Sequence, residues 1–235
     1  EMKAQKQRFI SGCVNNKLKN NEAENIFELL SKFADYGFNK SHAAAYALIA
    51  FQTAFLKTHF PIEFFAALMS LDIDNTDKIS IFQQELIRMN IKLNPPSINQ
   101  SNSYFARDGE KISYALGAIK NVGIESMNEL INERKSNGTF KSLSDFIQRC
   151  NTSIINKKTL EALACAGAFD EFGVNRSAVF NQAQEIVKFH KSQNNKSLSE
   201  QEDMFSDIEF SHFLLNDEDE WNYPYKLMKE YEMLG

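Results

Sequence analysis

A mainly α-helical protein is predicted by three features of the sequence. Apolar residues recur at helical spacing in segment after segment, twenty Phe stand against nine Gly and four Pro, and only one strand pair is clear. With 43% hydrophobic residues in 235, the chain can build a sizeable core, which excludes wholesale disorder. Cys13, Cys150 and Cys165 lie far apart, with neither a CxxC pair nor a His spacing that closes a zinc site. They read as reduced core thiols of a cytoplasmic protein. No apolar run approaches the roughly 20 residues that span a bilayer. Glu1 to Arg8 is charged with no apolar stretch behind it, so neither a membrane segment nor a secretion signal is expected. The abrupt first and last residues, Glu1 and Gly235, suggest a piece of something longer.

Taken in order, Glu22 to Phe33 places Ile26, Phe27, Leu29, Leu30 and Phe33 on one helical face, with Gly37 behind as a stop. Ser41 to Lys57 is apolar almost all round from Ala43 to Phe51, which predicts a helix buried on most sides. Pro61 suits the first turn of the next helix, Ile62 to Ser70. Asn75 or Thr76 caps a further helix to about Met89, and Asn94-Pro95-Pro96 then breaks the chain. Ser103 to Arg107 and Glu110 to Ala115 flank Asp108-Gly109 as the one short β-hairpin. Helices are expected at Gly123 to Arg134, Ser142 to Arg149, Asn156 to Ala166 and Arg176 to Lys191. Lys191 to Glu200 is polar and is expected to be mobile rather than helical, and the rest reads as an extended acidic tail carrying an interaction element. Three divisions follow: residues 1–97, 98–198 and 199–235.

The formal charge of -5 is unevenly spread. From Ser199 onward, eleven Asp or Glu meet two Lys, a balance of -9, so the preceding residues carry 24 basic and 20 acidic groups, or +4. A body of that balance permits nucleic-acid contact through a local patch without demanding it.

Three short segments carry candidate chemistry. In Tyr36-Gly37-Phe38-Asn39-Lys40-Ser41-His42-Ala43-Ala44-Ala45-Tyr46, a loop delivers Lys40, Ser41 and His42 to the start of a helix, where unsatisfied N–H groups and the helix dipole favour an anion such as phosphate. The bland alternative has Ser41 as a simple cap with Lys40 and His42 solvated. In Ile119-Lys120-Asn121-Val122-Gly123, a tight turn ahead of an amphipathic helix can grip a duplex phosphate without reading bases. An ordinary interhelical turn is the alternative. In Gln201-Glu202-Asp203-Met204-Phe205, Met204 and Phe205 suit an apolar pocket and Gln201 an orienting hydrogen bond; they could instead fold back on their own domain.

The first segment, continued through Phe51-Gln52-Thr53-Ala54-Phe55-Leu56-Lys57 to His59-Phe60-Pro61-Ile62-Glu63-Phe64, resembles the fingers domain of bacterial replicative DNA polymerase III alpha subunits, the C-family polymerases. The likeness continues through Leu71-Asp72-Ile73-Asp74-Asn75-Thr76-Asp77-Lys78 and Pro95-Pro96-Ser97-Ile98-Asn99 into the second division, weakening only in the tail. It implies a helical fingers segment over 1–97, a tandem helix-hairpin-helix domain over 98–198, and an acidic linker over 199–235. It further implies that Asn39, Lys40, Ser41, His42 and Tyr46 face the incoming deoxynucleoside triphosphate. Ile119, Lys120, Asn121, Val122 and Gly123 would hold primer-template DNA, with Asn156 to Gly167 as a second, degenerate hairpin copy. Gln201, Asp203, Met204 and Phe205 would bind the sliding clamp, the beta subunit, beside other replicase subunits. One departure stands out: such hairpins usually carry Gly where Asn121 stands, and Asn tolerates left-handed backbone better than most residues.

The activity implied is template-directed nucleotidyl transfer by the whole enzyme, using Mg2+ on palm carboxylates. This chain offers no such carboxylate set, so no catalytic residue, metal site or cofactor is expected in it, and alone it should not polymerise. Asp72, Asp74 and Asp77 lack the Gly and terminal Glu of a calcium loop, and His59, His190 and His212 are isolated. The competing reading is a non-enzymatic adaptor that binds DNA through its hairpins and the clamp through its tail; the Lys40-Ser41-His42 helix start argues against it.

Overall fold

The computed structural model describes the backbone of residues 2–35, 40–199 and 213–235, and side chains of 5–34, 41–193 and 213–235. Eleven α-helices and three short strands are found among these residues, the mainly helical class expected, although the sequence reading gives only eight helical segments and none ahead of Glu22. The chain divides into two compact units, residues 1–56 and 57–235.

In the first unit, α1 (Met2–Asn15) and α2 (Asn20–Asp35) form a hairpin. Lys17 closes α1 in left-handed backbone (φ 67°), with the Leu18 N–H donating to Cys13 O at 3.1 Å. Glu22 reaches back to the Lys19 N–H at 3.3 Å, fastening the start of α2. Ala23 and Phe27 are buried, with Phe27 against Phe9 at 5.6 Å. Ile26, Leu29, Leu30 and Phe33, expected on the same inward face, stay 40–74% exposed. The helix α3 (Lys40–His59) forms where predicted, but its expected burial does not follow: Tyr46, Leu48, Ile49, Phe51, Phe55 and Leu56 are 46–67% exposed. Composition can demand a covering layer, yet it cannot supply one, and none covers this helix among the described residues.

The second unit has one continuous core. Its first helix, α4 (Pro61–Leu71), carries Pro61 in the first turn and buries Ile62, Phe65, Ala66 and Met69 at spacings of three and four. Asn75 caps α5 (Thr76–Arg88), its side chain accepting the Lys78 N–H at 3.1 Å. Three strands follow, β1 (Lys92–Asn94), β2 (Ala106–Asp108) and β3 (Lys111–Ser113), in the order β1-β3-β2. The β2/β3 hairpin is present, but Asp108 pairs with Lys111, so the loop is Gly109-Glu110 rather than Asp108-Gly109. Gly109 at φ +60° takes the first loop position, as a type II′ turn requires. The sequence reading has no counterpart to β1, which pairs in parallel with β3.

Beyond a 3-10 turn at Leu116–Ala118 lie α6 (Ile124–Asn137), α7 (Leu143–Arg149), α8 (Lys157–Cys165), α9 (Arg176–Asn181) and α10 (Ala183–Ser199). Ser142 and Asn156 cap α7 and α8 by accepting the N–H groups of Asp145 and Thr159. The single helix expected from Arg176 breaks at Gln182 into α9 and α10. Phe140, Phe146, Phe169 and Phe172 pack in sequence at 5.2–6.3 Å between ring centres, and the same core takes in Phe65, Met69, Ile112, Leu116, Leu130 and Leu163. Residues on both sides of position 97 therefore share it. Residues 213–222 have no regular secondary structure, but Tyr223–Leu234 form α11 rather than continuing the expected extended tail. Asn222 caps α11 at the Tyr225 N–H, with Pro224 in the first turn.

Candidate nucleic-acid interface

The turn before α6 is built by alternation. Ile119 and Val122 are buried under the core cluster, while Lys120, Asn121 and Gly123 face outward. The Val122 N–H donates to Ile119 O at 3.1 Å, and Asn121 sits at φ +68°. A bond closing four residues, with positive φ at the third, is the signature of a type II turn, where Gly or Asn is required. The Asn that departs from the family pattern thus adopts the backbone that a glycine would.

Gly117 sets the approach to this turn. Its N–H donates to Ser103 O at 3.1 Å, and a Cβ there would lie 2.6 Å from that oxygen and 2.9 Å from Ile124 Cγ1. Only glycine lets the two segments close so tightly.

Gly123 is the N-cap residue of α6 and contributes no capping side chain, so the first-turn N–H groups have no side-chain partner. An anion placed there meets N–H groups and the positive end of the helix dipole. The second hairpin differs. Asn156 closes the start of α8 at Thr159 N–H (3.0 Å) while its own amide donates to Ser153 O at 2.8 Å. The start of α6 has no side-chain cap, whereas the start of α8 is closed by its own.

The two helix starts are tied together. Ser126 Oγ donates to Ser153 O at 3.3 Å, and Glu129 accepts from Ser153 Oγ at 2.6 Å and Asn151 Nδ2 at 2.8 Å. Those two donors hold the Glu129 carboxyl below its ordinary range. Arg149 anchors the far end of α6: it bonds Glu133 and Asp145, donates to Gly138 O and Thr139 O, and lies 4.4 Å from the centre of the Phe140 ring. Lys120, Lys157 and Lys158 supply exposed positive charge at the two hairpins, Lys157 also facing Glu161 at 3.6 Å.

One contact has no signal in the sequence. The Lys120 N–H donates to Met233 O at 3.1 Å, and Tyr114 Oη donates to Leu234 O at 3.1 Å, so the end of α11 lies against the first hairpin. Burial pushes the Tyr114 phenol well above its ordinary range. Neither contact is local, and neither carbonyl leaves a mark in the side-chain pattern.

The other expected sites are placed less fully. Ser41 and His42 are exposed in the first turn of α3, with the His42 ring 4.3 Å from that of Tyr46 one turn on. Asn39 and the side chain of Lys40 lie outside the described residues, as do Gln201, Asp203, Met204 and Phe205. Among the described residues no group of three or more His, Cys, Asp or Glu is placed to hold a metal ion. Cys150 and Cys165 are buried and unbonded to one another, and burial raises both thiols, Cys165 to about 11. No helix among the described residues is long and apolar enough to cross a membrane.

Known proteins with this pattern are consistent with that geometry. A helix-hairpin-helix family model matches residues 90–179, enclosing both hairpins. The chain is 45% identical over 192 residues to a DNA polymerase III subunit alpha of Caulobacter vibrioides, covering 82% of this chain and 17% of that protein. It is 47% identical over 190 residues to the Campylobacter jejuni protein of the same name, covering 79% and 16%. With that of Xylella fastidiosa strain 9a5c it shares 40% identity over 240 residues, all of this chain and 20% of the relative. The chain spans about a fifth or less of these relatives' length, and within that span it belongs to the DNA polymerase III alpha-subunit family.

Proposed function

We propose that the chain serves, within a whole replicative polymerase, to hold the duplex while template-directed nucleotidyl transfer takes place elsewhere in the enzyme. The observation that carries this reading is the open start of α6 behind the Ile119–Val122 turn. Backbone N–H groups there, with Lys120 beside them, suit a phosphate and ignore base identity, which is what a polymerase needs as it advances along any sequence. In this reading residues 1–97 belong to the fingers, 98–198 to the tandem hairpin domain and 199–235 to a linker, in a cytoplasmic enzyme whose Mg2+ is held by carboxylates outside this segment.

Two further roles complete the proposal. Asn39, Lys40, Ser41, His42 and Tyr46 position the incoming deoxynucleoside triphosphate; the helix start at Lys40 and the His42–Tyr46 ring contact support this. Gln201, Asp203, Met204 and Phe205 bind the sliding clamp, supported by the order of their residue types. The segment alone does not polymerise.

Duplex binding is tested by fluorescence anisotropy with a labelled duplex over a salt series. Affinity should fall linearly on a log–log plot, and Lys120→Ala should reduce the slope by about one without altering sequence preference. Salt-independent affinity would make the turn an ordinary interhelical connection. Met204→Ala with Phe205→Ala should abolish clamp affinity in the same preparation, and intact affinity removes the tether role.

A further inference from the structure

Residues Phe213 to Gly235 wrap the hairpin domain: Phe213 packs on Phe189 and Trp221 on Phe180 at 5.3 and 5.4 Å between ring centres, and polar contacts run along the rest. Asn216 exchanges two hydrogen bonds with the Gln182 amide, at 2.9 and 3.1 Å. Glu218 accepts from Asn181 and Gln182 through its carboxylate and from Asn175 through its carbonyl. Asp219 O accepts from Ser177 Oγ, and Glu220 accepts the N–H groups of Arg176 and Ser177. Farther on, Glu230 bonds buried Arg176 at 2.6 Å, and the final carbonyls of α11 reach Lys120 and Tyr114.

This strap has two physical properties that bear on the hairpin. First, no residue of α11 is fully buried; it is held by ion pairs, hydrogen bonds and the half-buried Met233 and Leu234. Elements with little apolar burial open locally at low free-energy cost. Second, it is acidic: six Asp or Glu against Lys226 and Lys229 give it a formal charge of -4. It also turns the negative, carbonyl end of a helix toward the turn that precedes α6. The strap therefore sets against the turn a helix end of the same sign of partial charge that a DNA backbone brings.

We propose that the strap and duplex DNA compete for the first hairpin, so that α11 docking restrains duplex binding and a bound duplex loosens α11. Met233 O occupies the Lys120 N–H directly, and a phosphate brought to this turn is opposed by the carbonyl end of α11. Linkage makes the effect reciprocal. The inference rests on the duplex-binding reading above.

The test uses the full chain carrying Tyr114→Phe and Glu230→Gln. Arg176 keeps Asp170 and Cys165 O in this variant, and the aromatic ring retained at position 114 keeps the packing against Phe105, so the core is preserved and thermal unfolding verifies it. Anisotropy with a short duplex should show affinity raised about five-fold or more. In the unaltered chain, hydrogen exchange at residues 223–234 should quicken when duplex is added to saturation. Equal or weaker affinity in the variant, or unchanged or slowed exchange, overturns the competition. A chain that binds no duplex in either form overturns the duplex-binding reading itself, a separate outcome.

Discussion

The carboxylate of Glu220 accepts the backbone N–H of Arg176 at 3.0 Å, closing the start of α9 with a side chain 44 residues farther along the chain. Asn175 stands at the local capping position and makes no side-chain cap, so the distant carboxylate takes the place of a local one. Burial pushes the Glu220 carboxyl upward, but the N–H groups of Arg176, Trp221 and Ser177, with the charge of Lys226, hold it below its ordinary range. A carboxyl lowered in the folded state stabilises fully above its unfolded value, near 4.3, and that contribution is lost as pH falls through the folded value. Glu220→Gln should therefore cost roughly 1–2 kcal/mol at neutral pH and flatten the acid limb of the stability profile, read by urea unfolding across pH. An unchanged acid limb would show that the carboxylate is not ionised at the cap.

Asn121 occupies left-handed backbone in the hairpin turn. Asn121→Gly should hold stability and duplex affinity close to their starting values, since glycine takes φ +68° without strain. Asn121→Val should cost roughly 1–2 kcal/mol and weaken duplex binding, as a β-branched residue resists that conformation. Paired unfolding and anisotropy measurements check both.

Gly123→Asp separates folding from binding. The backbone at Gly123 is extended (φ -82°, ψ 134°), and a Cβ there meets nothing closer than Ser126 Oγ at 3.7 Å. Aspartate should cap α6 and raise the melting temperature slightly, while its charge on the phosphate position removes duplex binding. Loss of both, or of neither, would detach the start of α6 from DNA.

Gly117→Ala tests the close approach behind the turn. The added methyl collides with the carbonyl of Ser103 and the side chain of Ile124, which cannot both withdraw, so a loss of about 1–3 kcal/mol is expected in thermal unfolding. Alanine at wild-type stability would mean the two segments separate freely.

Much of this architecture is legible residue by residue. The caps at Asn75, Ser142 and Asn156, the Pro61 helix start and the left-handed Asn121 depend on atoms within a few positions of each other, so local chemistry announces them. The hairpin at Gly109 was legible as a hairpin but not in its register. Pairing Asp108 with Lys111 is decided by which strand face meets the core, and Ile112 is buried there.

The amino-acid sequence by itself determined where most helices begin and which turns need special backbone, the turn before α6 among them, because each rests on short-range sterics and hydrogen bonding. Tertiary structure alone decided what those elements meet. It set β1 beside β3 and brought Leu234 to Tyr114 across 120 residues. Such contacts join backbone groups of remote segments, and a backbone carbonyl is the same in every residue, so no side-chain pattern can foretell which one will be used.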